Sequence, residues 1–90
     1  MNDDDLPALT PTPPGLYRHY KGGRYEVLAT VRHSETREAM TLYRALYGQR
    51  GLWVRPAAMF NETVVVDGMR QPRFARCPED EQQGFHSEGL

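Results

Sequence analysis

Arg24-Tyr25-Glu26-Val27-Leu28-Ala29-Thr30-Val31-Arg32 alternates along most of its length. Tyr25, Val27, Ala29 and Val31 fall on one side, and Arg24, Glu26, Thr30 and Arg32 on the other. A period of two marks a half-buried β-strand, because successive side chains of a strand point to opposite faces of the sheet. Only Leu28 breaks the pattern. Just upstream, Lys21-Gly22-Gly23-Arg24 reads as a tight turn, since glycine adopts the positive φ that short hairpins require. Residues 15–20 supply the strand before it, so the fold begins with a β-hairpin.

Downstream, residues 34–47 have two readings. As a helix, Ser34 is the N-cap, Ala39, Tyr43, Leu46 and Tyr47 form one stripe, and Gly48 closes the end. The Glu, Arg, Ala, Met and Leu content favours this locally. As a polar turn (34–38) followed by a strand (39–47), Met40, Leu42 and Leu46 face one way, and Thr41, Tyr43, Ala45 and Tyr47 the other. Gly48-Gln49-Arg50-Gly51 is a turn. Residues 52–55 form a short strand closed by Pro56, and residues 57–60 have room for one 3₁₀ turn. The β-branched run 63–66 ends at Asp67-Gly68, a strong hairpin signal. Residues 69–74 return from it, with Pro72 confining that piece to an edge or a strand end. Short strands with frequent Gly-containing turns predict a mainly β fold: a small SH3-like or Tudor-like β-barrel with one short 3₁₀ turn. Such a fold carries no function by itself.

Charge divides the chain into three parts. Residues 15–76 hold all eleven Lys and Arg against five Asp and Glu, a formal +6. Asp3, Asp4 and Asp5 make the first fourteen residues −3, and Glu79, Asp80, Glu81 and Glu88 make the last fourteen −4. Net charge is −1, so a basic body is hidden between acidic ends. The Pro-rich acidic stretch 1–14 and the Gln-rich acidic stretch 77–90 have too little apolar surface to offset ordering entropy, and are expected to be disordered tails. The body, 15–76, is near the lower size at which one core suffices. The single cysteine, Cys77, rules out an intramolecular disulfide. The acidic start is unlike a secretory signal, and no apolar run approaches the roughly 20 residues that span a bilayer, so no membrane association is expected and the cytoplasm is the default location.

Several motifs are characteristic together: Gly15-Leu16-Tyr17-Arg18-His19-Tyr20-Lys21-Gly22, Tyr25-Glu26-Val27-Leu28, His33-Ser34-Glu35-Thr36, Tyr43 with Leu46-Tyr47-Gly48, and Leu52-Trp53-Val54-Arg55-Pro56 with Met59-Phe60. In these the chain resembles a widespread family of short bacterial proteins known as domain of unknown function 1653. The resemblance covers about residues 15–74. It implies a small bacterial domain, found alone or beside others, and no particular activity. In that family the counterpart of residues 39–47 is usually more β-branched, which favours the strand reading, although Ala39 and Met40 fit it less well.

Aromatic and basic residues interleave through the body, as they do where rings stack on bases while Arg and Lys neutralise phosphates. The candidate binding residues are Tyr17, His19, Lys21, His33, Tyr43, Trp53 and Arg55. The plainer alternative is that Tyr and Trp fill the core and Arg is a solvated face. Trp53 and Arg55 share one side of their strand, opposite Leu52 and Val54. Whichever pair points inward decides whether Trp53 is displayed or buried. His19 and His33, with Ser34 and Glu35, invite a hydrolase reading, but there is no Gly-x-Ser-x-Gly elbow and the Ser34 run reads more simply as a turn. His19, His33, Cys77 and His86 lack zinc-ligand spacing, and Lys21-Gly22-Gly23-Arg24 lacks the ending of a phosphate loop. No cofactor and no metal are expected. The leading expectation is a non-catalytic module that recognises nucleic acid or another anionic ligand. A module for protein partners is the alternative. The acidic tails are candidates to fold back over the basic body and compete with its ligand.

Overall fold

A computed structural model describes residues 9–85 of the chain. In chain order the elements are β1 (Gly15–His19), β2 (Arg24–Arg32), β3 (Ala39–Ala45), β4 (Leu52–Pro56), α1 (Ala57–Phe60), β5 (Thr63–Val66), β6 (Met69–Pro72), β7 (Phe74–Arg76) and α2 (Glu79–Gln83). The fold is mainly β. Five antiparallel strands form one sheet in the order β4-β3-β2-β1-β7, and β5 pairs only with β6. The large sheet is open: β4 and β7 are its edges and do not meet, so the expected closed barrel is not what forms. The chain between those edges is occupied by α1 and the β5–β6 hairpin instead. Among the described residues, no helix is long and apolar enough to cross a membrane.

The β2 strand has the predicted bounds, but its two halves face differently. Val27 pairs with Tyr43 and Ala29 pairs with Leu42, so Leu28 is the extra residue of a β-bulge. Ala29 and Val31 thereby turn to the face opposite Tyr25 and Val27, a correction to the single face expected from alternation. Residues 34–47 follow the strand reading. His33 and Glu38 close the turn with a 2.9 Å backbone bond, and Arg37 adopts a φ of 67° within it. β3 is then hydrogen-bonded on both sides, to β2 and β4. Pairing along two edges outweighs the local helix preference of Ala39, Met40 and Leu42.

Further differences appear toward the chain's end. Residues 57–60 form an α-turn in place of 3₁₀, shown by the i to i+4 bond from the Asn61 N–H to the Ala57 carbonyl. Asp67 and Gly68 take φ of 52° and 78°, the paired positive values of a tight hairpin turn. The return strand stops at Pro72, and Phe74–Arg76 leaves to pair with β1.

One sheet face carries the core cluster Tyr17, Val27, Tyr43, Phe60 and Phe74. Phe60, fully buried, lies flat against Phe74 with centroids 4.1 Å apart and meets Tyr17 edge-on at 5.6 Å. The α1 turn follows Pro56 and drops Phe60 onto this face. The folded unit reaches beyond residues 15–76 at both ends. Thr12 is 2% exposed; its N–H donates to Thr30 Oγ1 (2.8 Å) and its hydroxyl meets that of Thr41 (3.0 Å). At the other end, Gln82 of α2 accepts from the Leu16 N–H and donates to the Leu16 carbonyl, both at 2.7 Å.

Candidate functional site

The turn joining β3 to β4 shapes the most distinctive surface of the protein. Gly48 and Arg50 adopt φ of 60° and 55°, which folds residues 46–51 back over the start of β2. A cleft of about 400 Å³ opens there, walled by Tyr25, Tyr43, Tyr47, Arg50, Trp53 and Arg55. The sheet register explains the grouping. Tyr43 stands opposite Trp53 on β4 and opposite Val27 on β2, so these residues share one face. Tyr25 pairs with Ala45 one step along, at the end where the turn arrives.

Trp53 is 60% exposed and stands on the outer wall. Leu52 and Val54 are also exposed, so neither register alternative buries one side of β4: as an edge strand it is open on both faces. The Tyr25 and Tyr47 rings meet edge-on at 5.6 Å and their hydroxyls share a 2.6 Å hydrogen bond. Burial first, then that bond, pushes the Tyr25 phenol up to about 12. The Tyr25 phenol is therefore protonated at neutral pH, available to donate or accept. Arg55 brings its guanidinium 5.8 Å from the centroid of Phe74, at the boundary between cleft and core.

The sequence-derived site residues divide into four groups. Trp53 and Arg55 are at the cleft. Tyr17 and Tyr43 are 4% and 7% exposed and stand in the core cluster, because Phe60 covers the face they occupy. Tyr17 donates to the Pro13 carbonyl at 2.7 Å, and the Tyr43 ring contributes only the cleft floor. His19 and Lys21 sit next to the cleft, at the β1–β2 turn, with the His19 ring 6.3 Å from Tyr25. His33 is elsewhere. Its Nδ1 accepts the backbone N–H groups of Glu35 and Thr36, which makes it part of the turn after β2. The nine residues of β2 separate the two histidines, roughly 30 Å at ~3.3 Å per residue, so they form no shared catalytic site. Tyr25, Tyr47 and Arg50 were visible as members of the aromatic and basic interleaving but not singled out; their shared position depends on the β3–β4 turn.

Cys77 is buried at the end of β7, where burial first and then Glu81 raise its thiol above the usual value, against a reactive thiolate. His86 lies outside the described residues. Among the described residues, no three His, Cys, Asp or Glu side chains gather as metal ligands would.

Residues 15–76 match a family model described as protein of unknown function (DUF1653). The chain is also similar to the crystal structure of a DUF1653 protein from Bordetella bronchiseptica. The two share 41% identity with a TM-score of 0.68, over 73% of this chain and 87% of that one. No curated protein matches the chain.

Proposed function

The chain belongs to the DUF1653 family, and from there we propose a non-catalytic binding module whose aromatic cleft holds the base of a nucleotide unit. The unit is either free or part of a single strand. The observation carrying this reading is Trp53, 60% exposed at the mouth of a cleft that also presents Arg50, Arg55 and two phenols. A tryptophan left in water on a 90-residue protein forgoes burial that the core could have used. A flat ring stacked on it recovers that contact, worth about 1–3 kcal/mol per base, and the arginines add cation–π contact with the ring. The basic body adds a longer-range attraction for the same class of ligand.

The finer architecture is part of this proposal. A five-strand meander whose last strand pairs with its first, with a helical turn after the fourth, is the order of an SH3-like barrel left open between β4 and β7. Such small β modules commonly bind through the face next to their variable loops.

A second reading has its own observation. β4 is an open edge on which Leu52, Trp53 and Val54 are all exposed, as a surface for strand addition by a protein partner would be. Titration of Trp53 fluorescence with single-stranded DNA, RNA and heparin at low and moderate salt separates the two. Quenching by the nucleic acids that weakens with salt, and exceeds that by heparin, supports the nucleotide reading. Unchanged emission with all three leaves β4 as the surface to pursue.

A further inference from the structure

His19 and Lys21 lie outside the cleft walls, yet they are held beside it. His19 closes the β1–β2 turn twice, its N–H donating to the Gly23 carbonyl (2.8 Å) and its carbonyl accepting from Gly22 (2.7 Å). The Lys21 N–H donates to His19 Nδ1 at 3.1 Å. With Nδ1 engaged as an acceptor, the neutral imidazole carries its proton on Nε2, which is left as a donor. The ring packs edge-on against Phe74 at 4.8 Å, and Arg55 lies over the same Phe74 ring at 5.8 Å. Arg55 also walls the cleft, so one guanidinium joins Trp53's site to the His19 turn.

The geometry points to a phosphate subsite formed by the His19 imidazole, the Lys21 ammonium and the Arg55 guanidinium, which takes the phosphoryl group of a nucleotide whose base stacks on Trp53. This rests on the reading of the cleft given above and adds to it the part of the ligand that is charged. The three donors come from separate elements: the end of β1, the turn after it, and β4. The Lys21 ammonium lies over the Tyr20 ring at 5.7 Å, that ring packs on His19 at 4.5 Å, and the charges of Lys21 and Arg55 both act on the imidazole, so phosphoryl oxygens beside His19 would meet all three groups.

The surroundings of His19 are consistent with this. Burial first, then the charges of Arg73, Lys21 and Arg55, hold its imidazole below the ordinary histidine value. The remaining ring neighbours are the phenols of Tyr20 at 4.5 Å and Tyr25 at 6.3 Å. Arg73, between β6 and β7, already has a carboxylate: its Nε donates to Glu62 Oε1 at 3.1 Å. Arg73 is therefore excluded from the donor set. The lowered value favours the neutral imidazole in the empty protein at neutral pH, and an arriving phosphate opposes this by favouring the protonated form, the added proton going to Nδ1 at the expense of the bond from the Lys21 N–H. Binding then takes up a proton, so affinity gains from His19 as pH falls.

The test is calorimetric titration of the full chain with adenosine, adenosine 5′-monophosphate, a dinucleoside monophosphate whose only phosphate is an internal diester, and inorganic phosphate. The 5′-monophosphate is expected to bind about tenfold or more tighter than adenosine, the effect of charge-assisted hydrogen bonds. Lys21→Ala and His19→Gln, checked for folding by circular dichroism, should remove most of that margin, read as each variant's own ratio of monophosphate to adenosine affinity. The ratio of wild-type to His19→Gln affinity for the monophosphate should grow between about pH 8 and about pH 6; comparing the two proteins cancels the ligand's own titration. If the diester matches the monophosphate, the subsite reads a strand; if it binds like adenosine, the subsite reads a terminal phosphate. Equal affinity for adenosine and its monophosphate overturns the subsite and leaves the cleft standing. Phosphate binding that survives Trp53→Ala, with no binding of adenosine, keeps the subsite and removes the cleft reading. Silence with all four ligands removes both.

Discussion

The hydroxyls of Tyr25 and Tyr47 lie 2.6 Å apart and share one hydrogen bond, which ties the start of β2 to the turn after β3. That contact holds the inner wall of the cleft in place before any ligand arrives, and a preformed wall loses little entropy on binding. The two rings also meet edge-on, so the pair is oriented by packing as well as by the bond.

Alkaline titration tests this pair directly. Burial and the Tyr47 hydroxyl favour the neutral phenol of Tyr25 in the folded protein, raising it from 10.0 to about 12. Its stabilising contribution is whole below pH 10 and is lost as pH rises through 12. Burial raises Tyr17 as well, so the test is absorbance of the variant: Tyr47→Phe should bring the late ionisation of Tyr25 down and leave that of Tyr17 in place. A late ionisation of Tyr25 that Tyr47→Phe leaves unmoved contradicts the contact.

Phe60→Ala should be the most damaging single truncation of an apolar side chain. The ring is fully buried, stacked on Phe74 and in contact with Tyr17 and Tyr43. Its loss leaves a cavity under the sheet and costs about 3–5 kcal/mol, a large part of the total stability of a domain this small. Chemical denaturation measures it, and a loss below about 1 kcal/mol would mean that α1 does not cover the sheet as described.

Gln82→Ala tests the docking of α2. The side chain makes both bonds to Leu16 and a third, at 3.1 Å, to the Cys77 carbonyl. Three partly exposed hydrogen bonds predict a cost of roughly 1–2 kcal/mol. Gly15→Ala should act through the same contact. Gly15 has a φ of 132°, and a Cβ there would come within 2.6 Å of Gln82 Oε1. Unaltered stability in both variants would show that the acidic end contributes nothing to the fold.

Trp53→Ala separates binding from folding. On an open edge strand and mostly exposed, Trp53 should be removable at under about 1 kcal/mol of stability. Binding of single-stranded nucleic acid should fall by the stacking energy of a base, about 1–3 kcal/mol. A variant that unfolds would place Trp53 in the core.

Local signals were legible where they were self-contained. The alternation of residues 24–32 and the Asp67-Gly68 turn each name a structure on their own, and Leu28, the one interruption, is where the bulge sits. Residues 39–45 were ambiguous because Ala, Met and Leu suit helices; two flanking strands decide the outcome. β7 was hidden, since three residues carry no period and their partner, β1, lies at the other end of the domain. The same reasoning holds for the site. Trp53 and Arg55 could be paired from one strand, whereas the burial of Tyr17 and Tyr43 was hidden because burial of a strand face depends on what covers it, here Phe60. Tyr47 reaches Tyr25 only through a turn whose positive φ values fall on Gly48 and Arg50.

The central claim, that the cleft around Trp53 is a binding site, is tested most directly by nuclear magnetic resonance of the ¹⁵N-labelled full chain titrated with a short single-stranded oligonucleotide. The account predicts that the Trp53 indole N–H shifts first, together with the backbone amides of Gly48, Gly51 and Arg55, while those around Gln82 on the opposite face stay still. Shifts confined to the Gln82 face, or no shifts at saturating oligonucleotide, would contradict it.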